Sequence, residues 1–120
     1  MKDKVNDQIH LSLMLGAVCR IESFMAGIDS IEAFDSNMLL KHAVVYNLQC
    51  IGESAYKLTK EFRDQHPEIE WRSIEGSRHV LVHDYYQVET SLLWSVLQND
   101  LDPLKQFLLR LGVKPLETLR

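Results

Sequence analysis

The chain has 120 residues, 46% hydrophobic and 25% charged, with only 5 Gly and 3 Pro; this excludes a disordered, collagen-like or low-complexity protein and fits one domain over residues 1–120. Thirteen Lys and Arg against seventeen Asp and Glu give a formal net charge of −4, so the molecule as a whole repels polyanions and any nucleic-acid contact has to be local. Cys19 and Cys50 stand far apart within apolar helical patterns, a setting for buried free thiols in a reducing cytoplasm and not for a disulfide framework.

Val5, Ile9, Leu13, Ala17, Ile21, Phe24 and Ile28 recur at spacings of three and four with charges between them, which predicts a first amphipathic helix over about residues 3–27. The longest nearly apolar run, Leu11 to Val18, spans eight residues and follows Asp3, Asp7 and His10, so neither a signal peptide nor a membrane span is expected. Gly27, Asp29 and Ser30 break the periodicity, and Ile31 to Phe34 supplies at most one helical turn as a connector. Asp35 or Ser36 is the expected cap of a second helix over about 37–65, marked by Leu40, Val44, Asn47, Leu48, Ile51, Ala55, Leu58 and Phe62 and ending before Pro67.

The residue before a proline is pushed out of the helical region, so Pro67 to Trp71 reads as a loop. A third, shorter helix starts at Trp71 and carries Ile74, Arg78, Leu81, Val82 and Tyr85. Gly76 near its middle marks a close backbone approach or a local irregularity, or is simply tolerated. Glu89 to Leu111 forms a fourth helix through Leu93, Val96, Leu97, Leu101, Leu104, Leu108 and Leu111, which Pro103 should kink or divide. No strand is predicted. Four amphipathic segments on short connections make an all-α bundle. Leu11, Met14, Leu92 and Trp94 lie off the main apolar stripes, which points to a second buried surface and a homodimer.

Chemistry concentrates between Ser77 and Tyr86, where Arg78, His79, His83, Asp84, Tyr85 and Tyr86 supply a fixed cation, two imidazoles, a carboxylate and two phenols. His79 and His83 have the spacing of a metal-binding pair, but no Glu follows His79 and no third ligand stands at a diagnostic spacing. Gly-x-Ser-x-Gly elbows and glycine-rich phosphate loops are absent. The cluster suits phosphodiester chemistry without a metal: an imidazole moves protons to or from ribose and leaving oxygens, and a guanidinium stabilises charge on phosphate. The same residues also suit a structural role, with His83 and Asp84 capping a helix and Arg78 in a surface ion pair. On one regular helix Arg78 and Tyr85 are about 20° apart but Arg78 and His83 about 140°. Their convergence then needs a change of helix geometry, a bent arginine side chain or a symmetry mate.

Arg78-x-x-x-x-His83-x-Tyr85 resembles the Arg-x4-His-x-Tyr signature of the HepT-like branch of the HEPN domains. Asn47 to Ala55, with its Ile51-Gly52-Glu53 core, is similar to that family's second helix, and His66 to Gly76 is similar to its approach to the motif. Val88, Trp94 and Asp100-Leu101-Asp102-Pro103-Leu104 also fit, so the likeness covers about residues 5–111. The resemblance implies a four- to five-helix up-and-down bundle of HEPN type, homodimeric and without a cofactor. It further implies the toxin of a prokaryotic type VII-like toxin–antitoxin pair, a metal-independent endoribonuclease with its cleft between protomers. Arg78 and His83 carry over as the catalytic pair, acting on an RNA that supplies its own 2′-hydroxyl nucleophile. The implied partner is a minimal nucleotidyltransferase antitoxin that transfers AMP to Tyr85, adding charge and bulk that repel RNA.

His79 stands where many members carry a small polar residue. It adds a second imidazole to the cleft or tunes His83 one turn away. Glu53 faces the site from the second helix, or serves in a cap or ion pair. Asp84 completes the accessory set. Trp71 and Trp94 read as core anchors or, alternatively, as base-stacking platforms. Two other functions fit the same residues: a non-catalytic helical dimer that docks a nucleotidyltransferase, which the net charge favours, and a ribonuclease restricted to one folded RNA such as a tRNA.

Overall fold

The computed structural model describes residues 4–83 and 90–116, with backbone alone at 4, 5, 77 and 79–83. Seven helices occur among them: α1 (Lys4–Met25), α2 (Ile31–Asp35), α3 (Met38–Tyr56), α4 (Lys60–Gln65), α5 (Trp71–His83), α6 (Thr90–Asn99) and α7 (Leu101–Arg110). No strand is present among the described residues, and no helix there is long and apolar enough to cross a membrane.

The long helix α1 packs on α3, and α3 packs on α5; α7 covers α1, and the α2–α6 pair closes one end. Hydrogen bonds at two places show that α1 and α3 run antiparallel. Near the start of α1 the buried Asp7 carboxylate accepts from the Thr59 amide at 2.8 Å and the Thr59 hydroxyl at 2.7 Å, just beyond the end of α3. Further along, Arg20 Nε donates to Asn47 Oδ1 at 2.9 Å, while Asn47 Nδ2 donates back to the Ala43 carbonyl. Asn47 thereby satisfies its amide inside the apolar stripe of α3.

Most of that stripe was legible: Leu40, Val44, Asn47, Leu48, Ile51, Ala55 and Leu58 are buried, while Phe62, on α4, is partly buried. The first helix differs. Its buried face is Asp7, Leu11, Met14, Leu15, Ala17, Val18 and Ile21: Ala17 and Ile21 of the expected stripe stand in the core, whereas its Ile9 and Phe24 lie exposed. Leu11 and Met14 are therefore covered by their own chain, and they give no ground for a second buried surface. Leu92 is exposed, whereas Trp94 is partly buried against Phe34 with ring centroids 6.0 Å apart. The all-α expectation holds, with the helices more finely divided than four or five.

Three boundaries show why. The expected second helix is split into α3 and α4 by Lys57 to Thr59, because Thr59 takes extended backbone angles, caps α4 by accepting from the Phe62 amide, and is anchored by Asp7. The cap of α3 is Asn37, not Asp35 or Ser36: its Oδ1 accepts from the Leu40 amide at 3.0 Å. The fourth expected helix divides at Asp100, leaving Pro103 in the first turn of α7, where its missing N–H costs nothing and its ring avoids continuing α6. At the end of α1, Gly27 has φ +84°, the left-handed backbone that stops a helix at low cost.

An aromatic group ties the later helices together. Trp71 Nε1 donates to the His66 carbonyl at 3.0 Å, and its ring meets Phe62 and Phe107 edge-on, which fits the anchor reading for this tryptophan. Gly76 has open space where a Cβ would stand, so it marks no close approach among the described residues. Gly76→Ala should then raise stability by about 1 kcal/mol in urea unfolding, since alanine loses less entropy in a helix interior.

At the other end, Asp35 Oδ1 accepts from the Thr90 hydroxyl and from Lys41 Nζ at 3.1 Å, clasping the start of α6 to α2 and α3. The Thr90 bond, then Lys41, hold the Asp35 carboxyl below its ordinary value. A lowered carboxylate stabilises the folded state above the ordinary range, and that contribution disappears as pH falls through the lowered value. The protection of the Trp94 to Leu97 amides, read as exchange relative to the intrinsic rate at each pH, should fall in acid in the parent but be low already at neutral pH in Asp35→Asn. Equal acid sensitivity in both proteins would show that Asp35 is not the responsible group.

Candidate functional site

Helix α5 carries the densest chemistry, and its neighbour α3 supplies the floor beneath it. Arg78 reaches from α5 toward α3, where two residues three positions apart, Glu53 and Tyr56, share one helical face. The Arg78 guanidinium carbon lies 3.7 Å from the centroid of the Tyr56 ring, a stacked cation–π contact. Arg78 Nη1 is 3.5 Å from Glu53 Oε2, a long ion pair. The arginine side chain is only 22% exposed against 47% for the glutamate, so its charge is partly withdrawn from water while its partner stays solvated. Arg78 Nε is buried with no hydrogen-bond partner among the described residues.

A second ion pair stands beside this one. Arg63 of α4 pairs with Glu75 of α5, one turn before Arg78, with both side chains mostly buried. It joins α4 to the helix bearing the motif, and breaking it would leave a charge with little solvent access. The cationic position at 78 is thus set between two helices and is not a free surface side chain. Arginine suits that place because its planar fork can stack on an aromatic face and still present N–H groups to an anion.

The helical backbone of α5 continues through His83. Positions 78 and 83 therefore follow ordinary helix geometry, about 140° apart in rotation and about 7.5 Å apart along the axis. No change of helix geometry intervenes between them. The side chains of His79 and His83 lie outside the described residues, as do Asp84 and Tyr85 entirely. Of the expected site, the structure brings together Arg78 and Glu53. It adds Tyr56, which the motif reading missed although its spacing from Glu53 placed it on the same face. Among the described residues no group of three or more His, Cys, Asp or Glu side chains is arranged to hold a metal ion. Cys19 and Cys50 are free and partly buried.

A groove of about 660 Å³ lies elsewhere, between the start of α1, α4 and the segment after α7, lined by Ser12, Phe62, Gln65 and Lys114 among others. Its Asp7 is committed to Thr59, and neither Arg78 nor Glu53 borders it.

Residues 14–111, which include the whole of α3 and α5, match the model of the ribonuclease HepT-like family. The chain belongs to the HepT-like ribonuclease family. A Thermococcus cleftensis protein named "Probable ribonuclease HepT" is 34% identical over 89 residues, covering 74% of this chain and 80% of that one. A Caldanaerobacter subterraneus protein named "Putative RNase TTE0752" is 34% identical over 77 residues, 64% of this chain and 69% of its own. The Methanocaldococcus jannaschii protein "Putative RNase MJ1380" is 31% identical over 73 residues, 61% and 67% of the two chains. No solved structure matches the chain significantly. The HepT-like assignment agrees with the resemblance read from Arg78, His83 and Tyr85, and it covers the segment in which all three stand.

Proposed function

We propose that this HepT-like chain is a metal-independent endoribonuclease, acting as the toxin of a toxin–antitoxin pair. The observation that supports it best is Arg78: a partly desolvated guanidinium, stacked and ion-paired between two helices, on the same helix as His83 within the family-matched segment. In the proposed reaction the ribose 2′-hydroxyl attacks the adjacent phosphorus. His83 takes the hydroxyl proton or delivers one to the departing 5′-oxygen, and Arg78 offsets the negative charge that builds on the phosphate. The P–O5′ bond breaks, leaving a 2′,3′-cyclic phosphate and a 5′-hydroxyl, so no metal is needed to generate a nucleophile.

The 140° between positions 78 and 83 favours a homodimer, in which His83 of one copy works with Arg78 of the other. Facing copies would also gather positive charge into one cleft, offsetting the net charge of −4 where RNA binds. His79 would add an imidazole to that cleft, and Asp84 is kept as an accessory residue of the same segment. The nucleotidyltransferase partner silences the enzyme by transferring AMP to Tyr85, which places a phosphodiester where substrate phosphate must enter.

The test is incubation of purified protein with total cellular RNA in EDTA, with mass spectrometry showing Tyr85 unmodified and His83→Ala purified identically as control. Cleavage by the parent is the expected result. No cleavage with Tyr85 bare would move the assignment to the non-catalytic dimer that docks a nucleotidyltransferase, or to a ribonuclease whose single folded RNA is missing from that pool. The salt dependence of RNA binding tests the second of these: a shallow slope fits a selective reader with few phosphate contacts, and a steep slope with indifferent sequence preference contradicts it.

A further inference from the structure

Nothing in the motif explains what holds the Arg78 guanidinium in place. Among the described residues its one ion pair is long, at 3.5 Å, and the Glu53 carboxylate that forms it is half exposed and would compete with phosphate for the same cation. The buried Nε has no acceptor among the described residues to lock that edge. The closest constraint is the Tyr56 ring, 3.7 Å from the guanidinium carbon. A flat cation on a flexible side chain loses much of its freedom against a flat ring, which also leaves its N–H edges free to meet an anion.

We infer that Tyr56 is the positioning residue of the site: its ring fixes the plane of the Arg78 guanidinium, so that phosphate meets an oriented cation. This rests on the ribonuclease reading. Tyr56 acts through Arg78 and not on the RNA itself. The aromatic ring carries the role, because the contact is made by its face. The residue is 44% exposed at the end of α3, so shortening it opens no core cavity.

Tyr56→Leu and Tyr56→Phe, each alone and combined with Arg78→Ala, test the inference on a synthetic RNA spanning a cut mapped in total RNA. Tyr56→Leu should lower the single-turnover rate at saturating RNA by about tenfold, with the half-saturating concentration little changed, as expected for lost orientation. Tyr56→Phe should restore the parent rate, and neither change should matter once Arg78 is alanine, because the two residues act as one unit. An equal loss from Tyr56→Leu in the Arg78→Ala background, or a loss seen only in half-saturation, would overturn the inference and make the ring an RNA contact.

A second measurement needs no turnover. With ¹⁵N-labelled arginine, the Arg78 side-chain resonance should show a ring-current shift and restricted motion in the parent and in Tyr56→Phe, and lose both in Tyr56→Leu. An unchanged resonance in Tyr56→Leu overturns the positioning role even if RNA is cut. Loss of the shift in Tyr56→Leu, where the parent itself cuts no RNA, upholds the positioning and removes the reaction assigned to it.

Discussion

His83→Ala is expected to cleave RNA between about a hundredfold and ten-thousandfold more slowly than the parent, the range for removing a general acid or base. Arg78→Ala should cost about a hundredfold to a thousandfold, because it removes a donor aimed at charge that develops in the transition state. The arginine is the more informative of the two. Its side chain is 22% exposed and packs on Tyr56, so thermal unfolding is to be measured beside activity; its partner Glu53 is half exposed, so removing the arginine strands no buried carboxylate. Arg78→Lys should recover little, since a lysine ammonium keeps the charge but cannot lie flat on Tyr56 with two N–H groups directed outward. Rates are to be compared on one RNA in EDTA. A variant that keeps full activity removes the role assigned to that residue.

Phe34→Ala should destabilise the protein by about 3–5 kcal/mol in urea unfolding, the range for truncating a buried aromatic side chain. Phe34 is fully buried although it stands on α2, a helix of five residues that could not persist by itself. Ser30 caps that helix by accepting from the Ala33 amide, and Phe34 then inserts into the core beside Trp94 of α6. With the Asp35 clasp on Thr90, this makes the short turn the fastener of α6. A loss below about 1 kcal/mol would mean that the surrounding side chains collapse into the space and that α2 is only a connector.

Both predictions bear on how much the sequence discloses. The α3 stripe was readable because each apolar position, and even Asn47, faces the same neighbours, α1 and α5. The α1 stripe was only partly readable because this helix carries apolar residues on several sides: Ala17 and Ile21 of the expected stripe are buried, Ile9 and Phe24 extend the pattern outward, and Leu11, Met14 and Val18 join the buried seam from outside it. Periodicity counts apolar residues but does not show which face finds a partner. Helix ends were hidden for another reason. Thr59 interrupts an otherwise continuous pattern through its bonds with Asp7, 52 residues away, and no local rule contains that contact.

The site divides in the same way. Arg78 was recognisable because a fixed cation five residues before a histidine and seven before a tyrosine carries a chemical signature in one segment. Tyr56 was not, since it lies 22 residues earlier and its meaning depends on the packing of α3 against α5. Glu53 was open between facing the site and serving in a cap or ion pair, and the structure shows the ion pair, with Arg78.

The most direct measurement of the central claim is the chemistry of the ends left on a cut RNA. The account predicts 2′,3′-cyclic phosphate and 5′-hydroxyl ends, formed by the parent in EDTA, and no cut where a single 2′-deoxynucleotide precedes the scissile phosphate. Products with 3′-hydroxyl and 5′-phosphate ends, or undiminished cleavage at the deoxy position, would contradict it, because water and not the ribose would then be the nucleophile.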